Sequence, residues 1–349
     1  MTVDDPIAAV PSRSVTRGDQ RLTDLKYRWP ARYRASWGAL LLVVVGAAVF
    51  APHALSGPSI TLVTALAGVL AIAAFGQVLI VMTGAIDLSI SAIVSVAAGI
   101  VVHYADSGTN VWLLVLAALG VSALLSLVNG VFIVVLRLNA LIVTLATVGV
   151  ITGLIQLWTG VALSATARTP QPLVDVAQSQ VWTINAVFIA AVVTGACLAY
   201  ILNKTRGGKS IALAGSNPRA AEVLGIRVNV VHVAAFGLAG LLYGLAGVLL
   251  AGYVGSPDVL SGASYQLLAI TVAGVAGVLF TGGPGSIASV ISSCLFLVLL
   301  DQVLSIEGMS AGARVVVQGL VLAIAVAAIT VSQYGAARFT KLRIRRSTT

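Results

Sequence analysis

Residues 60–83 read ITLVTALAGVLAIAAFGQVLIVMT, a run of 24 residues without a charge. About 20 mainly apolar residues are enough for a helix to cross the hydrocarbon core of a bilayer. Similar runs follow one another from Trp37 to about Gln333, separated by short turns and one basic loop. The runs are too long and too continuous for the alternating strands of a membrane barrel. The pattern therefore predicts an all-α, polytopic membrane protein.

The composition excludes a soluble protein. Hydrophobic residues make up 59% of the 349 residues, charged residues only 9%, and the mean hydropathy is +1.04. A soluble domain could not expose so little charge and stay dispersed. Because the chain has no sizeable polar block, we expect one membrane domain and no separate soluble domain.

About ten windows are long enough to span a membrane, and Pro, Gly, Asn and Asp mark the turns between them. The predicted spans are 37–55, 60–83, 88–105, 111–136, 140–163, 181–202, 229–254, 263–281, 286–304 and 315–333. Spans 2–5 and 7–10 form two groups of four that enter the membrane from opposite sides. This arrangement is compatible with the inverted repeat of many transporters.

Lys and Arg predict the orientation, because cytoplasmic loops carry an excess of them. With the N-terminus inside, seven basic residues precede Trp37, one is Arg137, five lie in the central loop and five in the C-terminal tail, so eighteen of twenty are cytoplasmic. We predict a basic cytoplasmic segment 1–36, a transmembrane domain 37–333 with a cytoplasmic loop 203–228, and a basic cytoplasmic tail 334–349. Topology and anionic lipid explain the net charge of +9, and nucleic acid is not an expected partner.

No energy-converting machinery is visible in the sequence. Gly207-Gly208-Lys209-Ser210 resembles part of a nucleotide-binding loop, but Asn203 stands where that loop requires glycine. A membrane helix also takes the place of the required strand. The chain is therefore either a passive or ion-coupled carrier, or one subunit of a machine whose motor is another chain.

Catalytic, metal-binding and redox chemistry are not expected either. Cys197 and Cys294 lie inside apolar spans without the spacing of a metal site, so we interpret both as small core residues. The ionisable residues in or near the spans do not form a proton relay. They are Asp87, His103, His232, Asp301 and Arg314.

The central loop contains the signals of a short helix over residues 218–224. Ser216 or Asn217 can cap it, Pro218 suits its first turn, and Gly225 suits its end. Small residues beside two charges would let a partner chain approach closely, although a solvated connector explains the same pattern. The residues concerned are Ser216, Asn217, Pro218, Arg219, Ala220, Ala221, Glu222 and Gly225.

This loop resembles the coupling segment of bacterial ABC-importer permeases, in which a short helix fits a groove on the ATPase subunit. The residues Gly84-Ala85-Ile86-Asp87-Leu88-Ser89-Ile90-Ser91 are similar to the signature G-G-I-D-L-S-V-G of ribose-type sugar permeases. The matching residues of the signature are Gly84, Asp87, Leu88 and Ser89. Stretches 138–147, 237–252 and 281–286 extend the resemblance, which runs from about residue 60 to 330.

The resemblance is to the ribose, xylose, arabinose, galactose and autoinducer-2 class. Ala85 and Ser91 depart from the pattern by replacing glycines, Pro284 stands where a basic or polar residue is common, and Asp301-Gln302 replaces asparagines. These departures leave the class intact and weaken any inference about the particular sugar.

The resemblance implies a permease subunit that translocates a monosaccharide delivered by an extracytoplasmic binding protein. A cytoplasmic ATPase subunit would bind ATP and Mg, and a second permease copy or a related permease would complete the pore in a bacterial plasma membrane. The chain itself would be no enzyme and would hold no cofactor. Import of nucleosides or branched-chain amino acids, and ion-coupled transport, remain alternatives, and an embedded enzyme is the weakest.

Several polar residues are candidates for specific roles. We expect Asp87 to cap the third span, where the helix dipole favours an anion. Arg314 can pair with Asp301, or together with Arg168 it can dock an external binding protein. Uncharged side chains that could line a sugar path, or equally bond neighbouring helices, are Gln77, Asn129, Thr144, Thr147, Tyr265 and Gln266.

Overall fold

The computed structural model describes residues 31–105, 108–159, 168–258 and 260–346. Most of the predicted segment 1–36 therefore lies outside the described residues. Regular structure in the described residues is helical apart from one two-stranded hairpin, which confirms the all-α prediction. The elements are α1 (Ala31–Phe50), α2 (Gly57–Met82), α3 (Ile90–His103), α4 (Val111–Val135), α5 (Ala140–Thr159), α6 (Gln171–Gln178), β1 (Gln180–Val181), β2 (Ile184–Asn185), α7 (Ala186–Lys204), α8 (Arg206–Ser216), α9 (Pro218–Val223), α10 (Val228–Val254), α11 (Ala263–Val275), α12 (Ile287–Ile306) and α13 (Ala311–Arg346).

Within the described residues, eight helices are long and apolar enough to cross a membrane, and the chain is a multi-pass membrane protein. The third and eighth predicted spans are shorter helices, α3 with 14 residues and α11 with 13. At 1.5 Å per residue they cover only about 20 Å each. The eighth prediction, 263–281, was too long, because Gly277 turns the backbone at φ +76° just after α11 ends.

The structure corrects two other boundaries. α1 begins at Ala31, before the predicted start at Trp37. α7 begins at Ala186, because residues 180–185 form an antiparallel hairpin and Asn185 then caps the helix by accepting a hydrogen bond from the Val187 nitrogen. Helices α6 and α8 were not predicted at all.

The core of the bundle lies around α2 and α10. Nearly all of α2 is buried, and it packs against α7, α10, α11 and α12. Glycines on α10 permit its close approach to α4, since a Cβ on Gly244 would lie 2.8 Å from Ser122. α4, α5 and α13 leave most of their apolar surface uncovered, as expected of helices that face lipid or another subunit.

The contacts support the predicted inverted repeat of α2–α5 and α10–α13. In the repeat, α2, α3 and α4 correspond to α10, α11 and α12. α2 packs on α12, and its counterpart α10 packs on α4, the counterpart of α12. Likewise α3 packs on α10, and its counterpart α11 packs on α2. The short helices α3 and α11 hold the same second place in each group. We call the side of the bundle that carries α8 and α9 the α8–α9 face, and the opposite side, which carries β1 and β2, the hairpin face.

Candidate coupling segment and buried polar network

The predicted helix in the central loop exists as α9, Pro218–Val223. The Asn217 side chain caps it by accepting a hydrogen bond from the Ala220 nitrogen at 3.1 Å. Gly225 ends it with a φ of +79°, a conformation that L side chains rarely adopt. Ala221 is buried, whereas Val223 is 88% exposed and Leu224 70% exposed. Arg219 and Glu222 are also exposed, so α9 presents apolar and charged groups together.

Helix α8 holds α9 against the bundle. Thr205 caps α8 by accepting a hydrogen bond from the Gly208 nitrogen, and Gly208 lies directly against the backbone of Ile201 and Leu202. Ile211, at helical spacing from Gly208, is also buried. The sequence carried a signal for α8 in the cap and in this spacing. We did not predict α8 because Gly207 and Gly208 lie in its first turn, and glycine is a poor helix former.

Three backbone segments meet where α8 ends. The Gly283 nitrogen donates a hydrogen bond to the Met82 carbonyl at 2.9 Å. A Cβ on Gly215 would overlap the same carbonyl oxygen and lie 3.1 Å from the Gly283 nitrogen. We call Met82, Gly215 and Gly283 the glycine junction. It joins the end of α2, the end of α8 and the α11–α12 connection, and sequence analysis did not single it out.

The loop between α2 and α3 carries Asp87, which is completely buried. Its Oδ1 accepts hydrogen bonds from the backbone nitrogen and the hydroxyl of Ser89. The carboxylate therefore orders the turn before α3 instead of capping the first turn of α3, as we had expected. Burial raises the pKa of Asp87 to about 6, and the hydrogen bonds from Ser89 oppose that shift.

A buried polar network extends from this loop across two helices. The Asn129 Nδ2 on α4 donates to the Ser89 Oγ at 3.0 Å, and the Asn129 Oδ1 accepts from the Thr147 Oγ1 on α5 at 2.6 Å. On the other side of Asp87, the Tyr243 hydroxyl donates to the Gln77 Oε1 at 3.2 Å and lies beside the Asp87 carboxylate.

The structure thus brings together Gln77, Asn129 and Thr147 with Asp87 and Ser89. We call the α2–α3 loop, residues 83–89, the signature loop. Tyr243 also belongs to this group and was missed, since nothing but its polar tip distinguishes it within an apolar span. Thr144 stands apart, because its hydroxyl bonds back to the Ala140 carbonyl of its own helix.

The remaining path candidates lie on α11. The Gln266 Oε1 accepts a hydrogen bond from the Ser91 hydroxyl at 3.0 Å, which links α11 to α3. Tyr265 is buried beside it. The two short helices are thus joined directly by polar side chains.

The two basic residues predicted on the hairpin face differ in environment. Arg168 is exposed. The Arg314 Nη1 lies 2.7 Å from the Asp301 Oδ2, and Gln318 donates a hydrogen bond to the other oxygen of Asp301. The predicted pairing of Asp301 with Arg314 is confirmed.

The described residues contain no group of three or more His, Cys, Asp or Glu side chains that could hold a metal ion. The arrangement instead joins helices. Hydrogen bonds between buried side chains link α2 to α10 and the α2–α3 loop to α4 and α5, although the Gln77 Nε2 and the Asp87 Oδ2 have no hydrogen-bond partner within the described residues.

Comparison with known proteins agrees with this architecture. The chain is 28% identical over 268 residues to the autoinducer 2 import system permease protein LsrC of Escherichia coli (strain SMS-3-5 / SECEC), covering 77% of this chain and 78% of the relative. It is 27% identical over 299 residues to the ribose import permease protein RbsC of Escherichia coli (strain K12), covering 82% and 90%. No solved structure matches the chain.

A family model described as branched-chain amino acid transport system / permease component matches residues 59–326, from the second predicted span into the tenth. This match covers most of the chain and includes the signature loop, the glycine junction and the polar network. The chain belongs to this family of transport permease components.

Proposed function

We propose that the chain is the membrane-spanning permease subunit of an ATP-driven importer in a bacterial plasma membrane, with both termini in the cytoplasm. It translocates a monosaccharide that an extracytoplasmic binding protein delivers. A separate cytoplasmic ATPase subunit binds ATP and Mg, and a second permease, identical or related, completes the pore. The observation that carries this proposal is the presentation of α9 on the basic face of a chain whose relatives are named import permeases.

The surface of α9 supports ATPase docking. Val223 and Leu224 are apolar, yet both are largely exposed. Exposed apolar side chains next to charges are typical of a protein contact. Because the basic residues of the central loop lie on the same face, the positive-inside rule supports a cytoplasmic location for this surface.

The glycine junction suggests how a push on α9 reaches the membrane helices. Gly215 at the end of α8 touches the backbone at the end of α2 and at Gly283, before α12. A displacement of α8 therefore moves both helix ends unless these contacts break. We propose that closure of the ATPase subunits tilts the helices in this way and opens the path alternately to each side.

The two short helices point to the location of the path. In transporters with inverted repeats, interrupted helices at corresponding positions of the two halves mark the binding site. α3 and α11 are such a pair, and the hydrogen bond between Ser91 and Gln266 lies between them. Gln77, Asn129, Thr144, Thr147, Tyr265 and Gln266 remain predictions as path residues.

The substrate is assigned from chemistry and from the relatives together. The predicted path residues are amides and hydroxyls, which suit a neutral solute rich in hydroxyl groups, and the buried carboxylate of Asp87 beside them is bonded to Ser89. Two relatives are named for import of ribose and autoinducer 2. The family description names branched-chain amino acids, so these are the second candidate.

On the hairpin face, we propose that Arg168 contributes to docking of the binding protein, because it is exposed there without a described ion pair. Arg314 is the weaker contributor, since Asp301 already occupies its guanidinium.

The test begins with purification of the tagged chain from its native membranes together with the ATPase that accompanies it. Proteoliposomes containing both, supplied with the native binding protein, should accumulate radiolabelled ribose when ATP is present. Val223→Asp should abolish uptake by removing an apolar contact with the ATPase. Val181→Asp, the same substitution at an exposed valine of β1, should retain it.

Other outcomes would overturn the proposal in specific ways. Accumulation of leucine in place of ribose would assign the chain to the second candidate. Accumulation driven by a cation gradient without the ATPase would show a self-sufficient carrier. Normal uptake by Val223→Asp would remove α9 from the coupling role.

A further inference from the structure

We propose that Asn129 is a positioning residue that couples α5 to the α2–α3 loop, so that movements of α8 are transmitted to α5. This inference rests on the proposed function, because it concerns how work done at α9 reaches a membrane helix that α8 and α9 do not adjoin. The route consists of the glycine junction, the signature loop and the Asn129 amide.

The first step is the backbone contact at the glycine junction. Gly215 leaves no space between α8 and the Met82 carbonyl, and the Gly283 nitrogen is bonded to the same carbonyl. Packed backbone atoms transmit displacement because interiors are nearly incompressible. The end of α2 must therefore follow α8.

The second step is the short loop that begins directly after Met82. Asp87 and Ser89 are completely buried in it, and two hydrogen bonds hold the Asp87 carboxylate to Ser89. Tyr243 of α10 lies against the same carboxylate. The loop is therefore ordered by its own side chains and moves as a unit with the end of α2.

The third step is Asn129, which is 1% exposed and uses both ends of its amide. Its nitrogen donates to Ser89, and its oxygen accepts from Thr147 on α5. A side-chain amide offers donors and an acceptor in fixed geometry without carrying a charge. Asn129 thereby joins the loop to α5 across α4.

The fourth step is the weak anchorage of α5 elsewhere. Only 22% of the α5 membrane window is buried, and its helix neighbours are α3 and α4. Gly149 and Gly153 on α5 have nothing within 4 Å of a would-be Cβ. Because α5 has so little packing, an interhelical hydrogen bond contributes a substantial part of what holds it in position, beside the ring contact of Trp158 with His103 on α3.

The test compares Thr147→Val with Thr152→Val in the reconstituted importer. Both changes replace a hydroxyl by a methyl on α5, but Thr147 bonds to Asn129 on α4, whereas Thr152 has no hydrogen bond to another helix within the described residues and is not a predicted path residue. We expect Thr147→Val and Asn129→Leu to lower solute imported per ATP hydrolysed by about fivefold or more, with ATP hydrolysis retained. Thr152→Val and the rescue variant Thr147→Ser should match the wild type, and the double variant Asn129→Leu/Thr147→Val should be no worse than either single change.

A second readout follows α5 directly. A cysteine at Gly149, in a Cys197→Ser background, is exposed on α5 and reports its surroundings by the rate of thiol labelling. We expect nucleotide to change this rate in the complex with the ATPase, and Thr147→Val to remove the change.

The inference is overturned if Thr147→Val keeps the wild-type import per ATP and the nucleotide-dependent labelling. It is also overturned if transport and ATP hydrolysis fall in the same proportion, because that result shows a purely structural bond. Absence of ATP-dependent uptake by the wild type is a separate outcome, which refutes the proposed function and this inference with it.

Discussion

The α4–α5 pair and the α12–α13 pair occupy corresponding places in the two groups of four helices, yet they are joined by different chemistry. The first pair is linked by a neutral, buried hydrogen bond between Asn129 and Thr147 near the α8–α9 face. The second is linked by an ion pair between Asp301 and Arg314, with Gln318 added, near the hairpin face. The side chains of that ion pair are about a quarter to a third exposed.

This difference indicates that the two faces of the bundle have different mechanical roles. The buried link continues through Ser89 to the loop beside the glycine junction, so it is part of a connected network. The ion pair is partly exposed, so salt can screen it in part. We infer that the α8–α9 face transmits movement through fixed contacts, whereas the ion pair on the hairpin face tolerates rearrangement.

The largest expected effect is at the glycine junction. Gly215→Ala would place a Cβ against the Met82 carbonyl and should destabilise the chain by about 2–3 kcal/mol, because backbone atoms must move apart. Gly207→Ala is the matched control on the same helix, where a Cβ meets nothing within 4 Å. The control should leave stability unchanged or raise it by up to about 1 kcal/mol, since alanine favours helix. Thermal unfolding midpoints in detergent test this difference, and equal midpoints would contradict the backbone contact.

The next effect concerns the buried link. Asn129→Leu leaves Ser89 and Thr147 without this hydrogen-bond partner. The substitution should lower the free energy of unfolding by about 1–2 kcal/mol, as for other interhelical hydrogen bonds and unsatisfied buried groups. Asn203→Leu is the control, because the exposed Asn203 side chain bonds only to the Ala199 carbonyl of its own helix. If both variants unfold at the same temperature as the wild type, the network does not stabilise the bundle.

The smallest effect is expected at the ion pair. Arg314→Gln should cost less than about 1 kcal/mol at low salt, because partly exposed ion pairs contribute little. The difference in the free energy of unfolding between Arg314→Gln and the wild type should shrink further as salt is raised. The corresponding difference for Asn129→Leu should not change with salt. If Arg314→Gln loses more stability than Asn129→Leu, or if its loss of stability persists in high salt, the comparison between the two helix pairs is reversed.

Local chemistry explains what could be predicted at the candidate site. Asn217, Pro218 and Gly225 act within a few residues of their own positions, so α9 could be located from the sequence within one residue at its C-terminal end. The polar residues Gln77, Asn129 and Thr147 could be identified individually because each interrupts an apolar run. Their assembly around Asp87 could not, since the partners lie on different helices and their rotation about each helix axis depends on packing.

The missed elements have a common cause. α8 contains Gly207 and Gly208, which lower its intrinsic helix propensity, and it is stabilised where Gly208 packs on the backbone of α7. α6 follows Pro170, contains Pro172 in its first turn, and has only two buried side chains, Leu173 and Ala177, on its packed face. Tertiary contacts, not local preference, decide whether such short segments become helices.

The sequence by itself determined that this chain lies in a membrane, that its regular structure is helical, and that a short capped helix projects from its basic loop. These properties follow from the cost of burying charge and unpaired backbone in lipid, which acts on each segment separately. The tertiary structure alone decided that Met82, Gly215 and Gly283 share one junction and that Asn129 joins the signature loop to α5. Such contacts depend on how close two helices approach and which faces they turn to each other, and a run of apolar residues does not specify either.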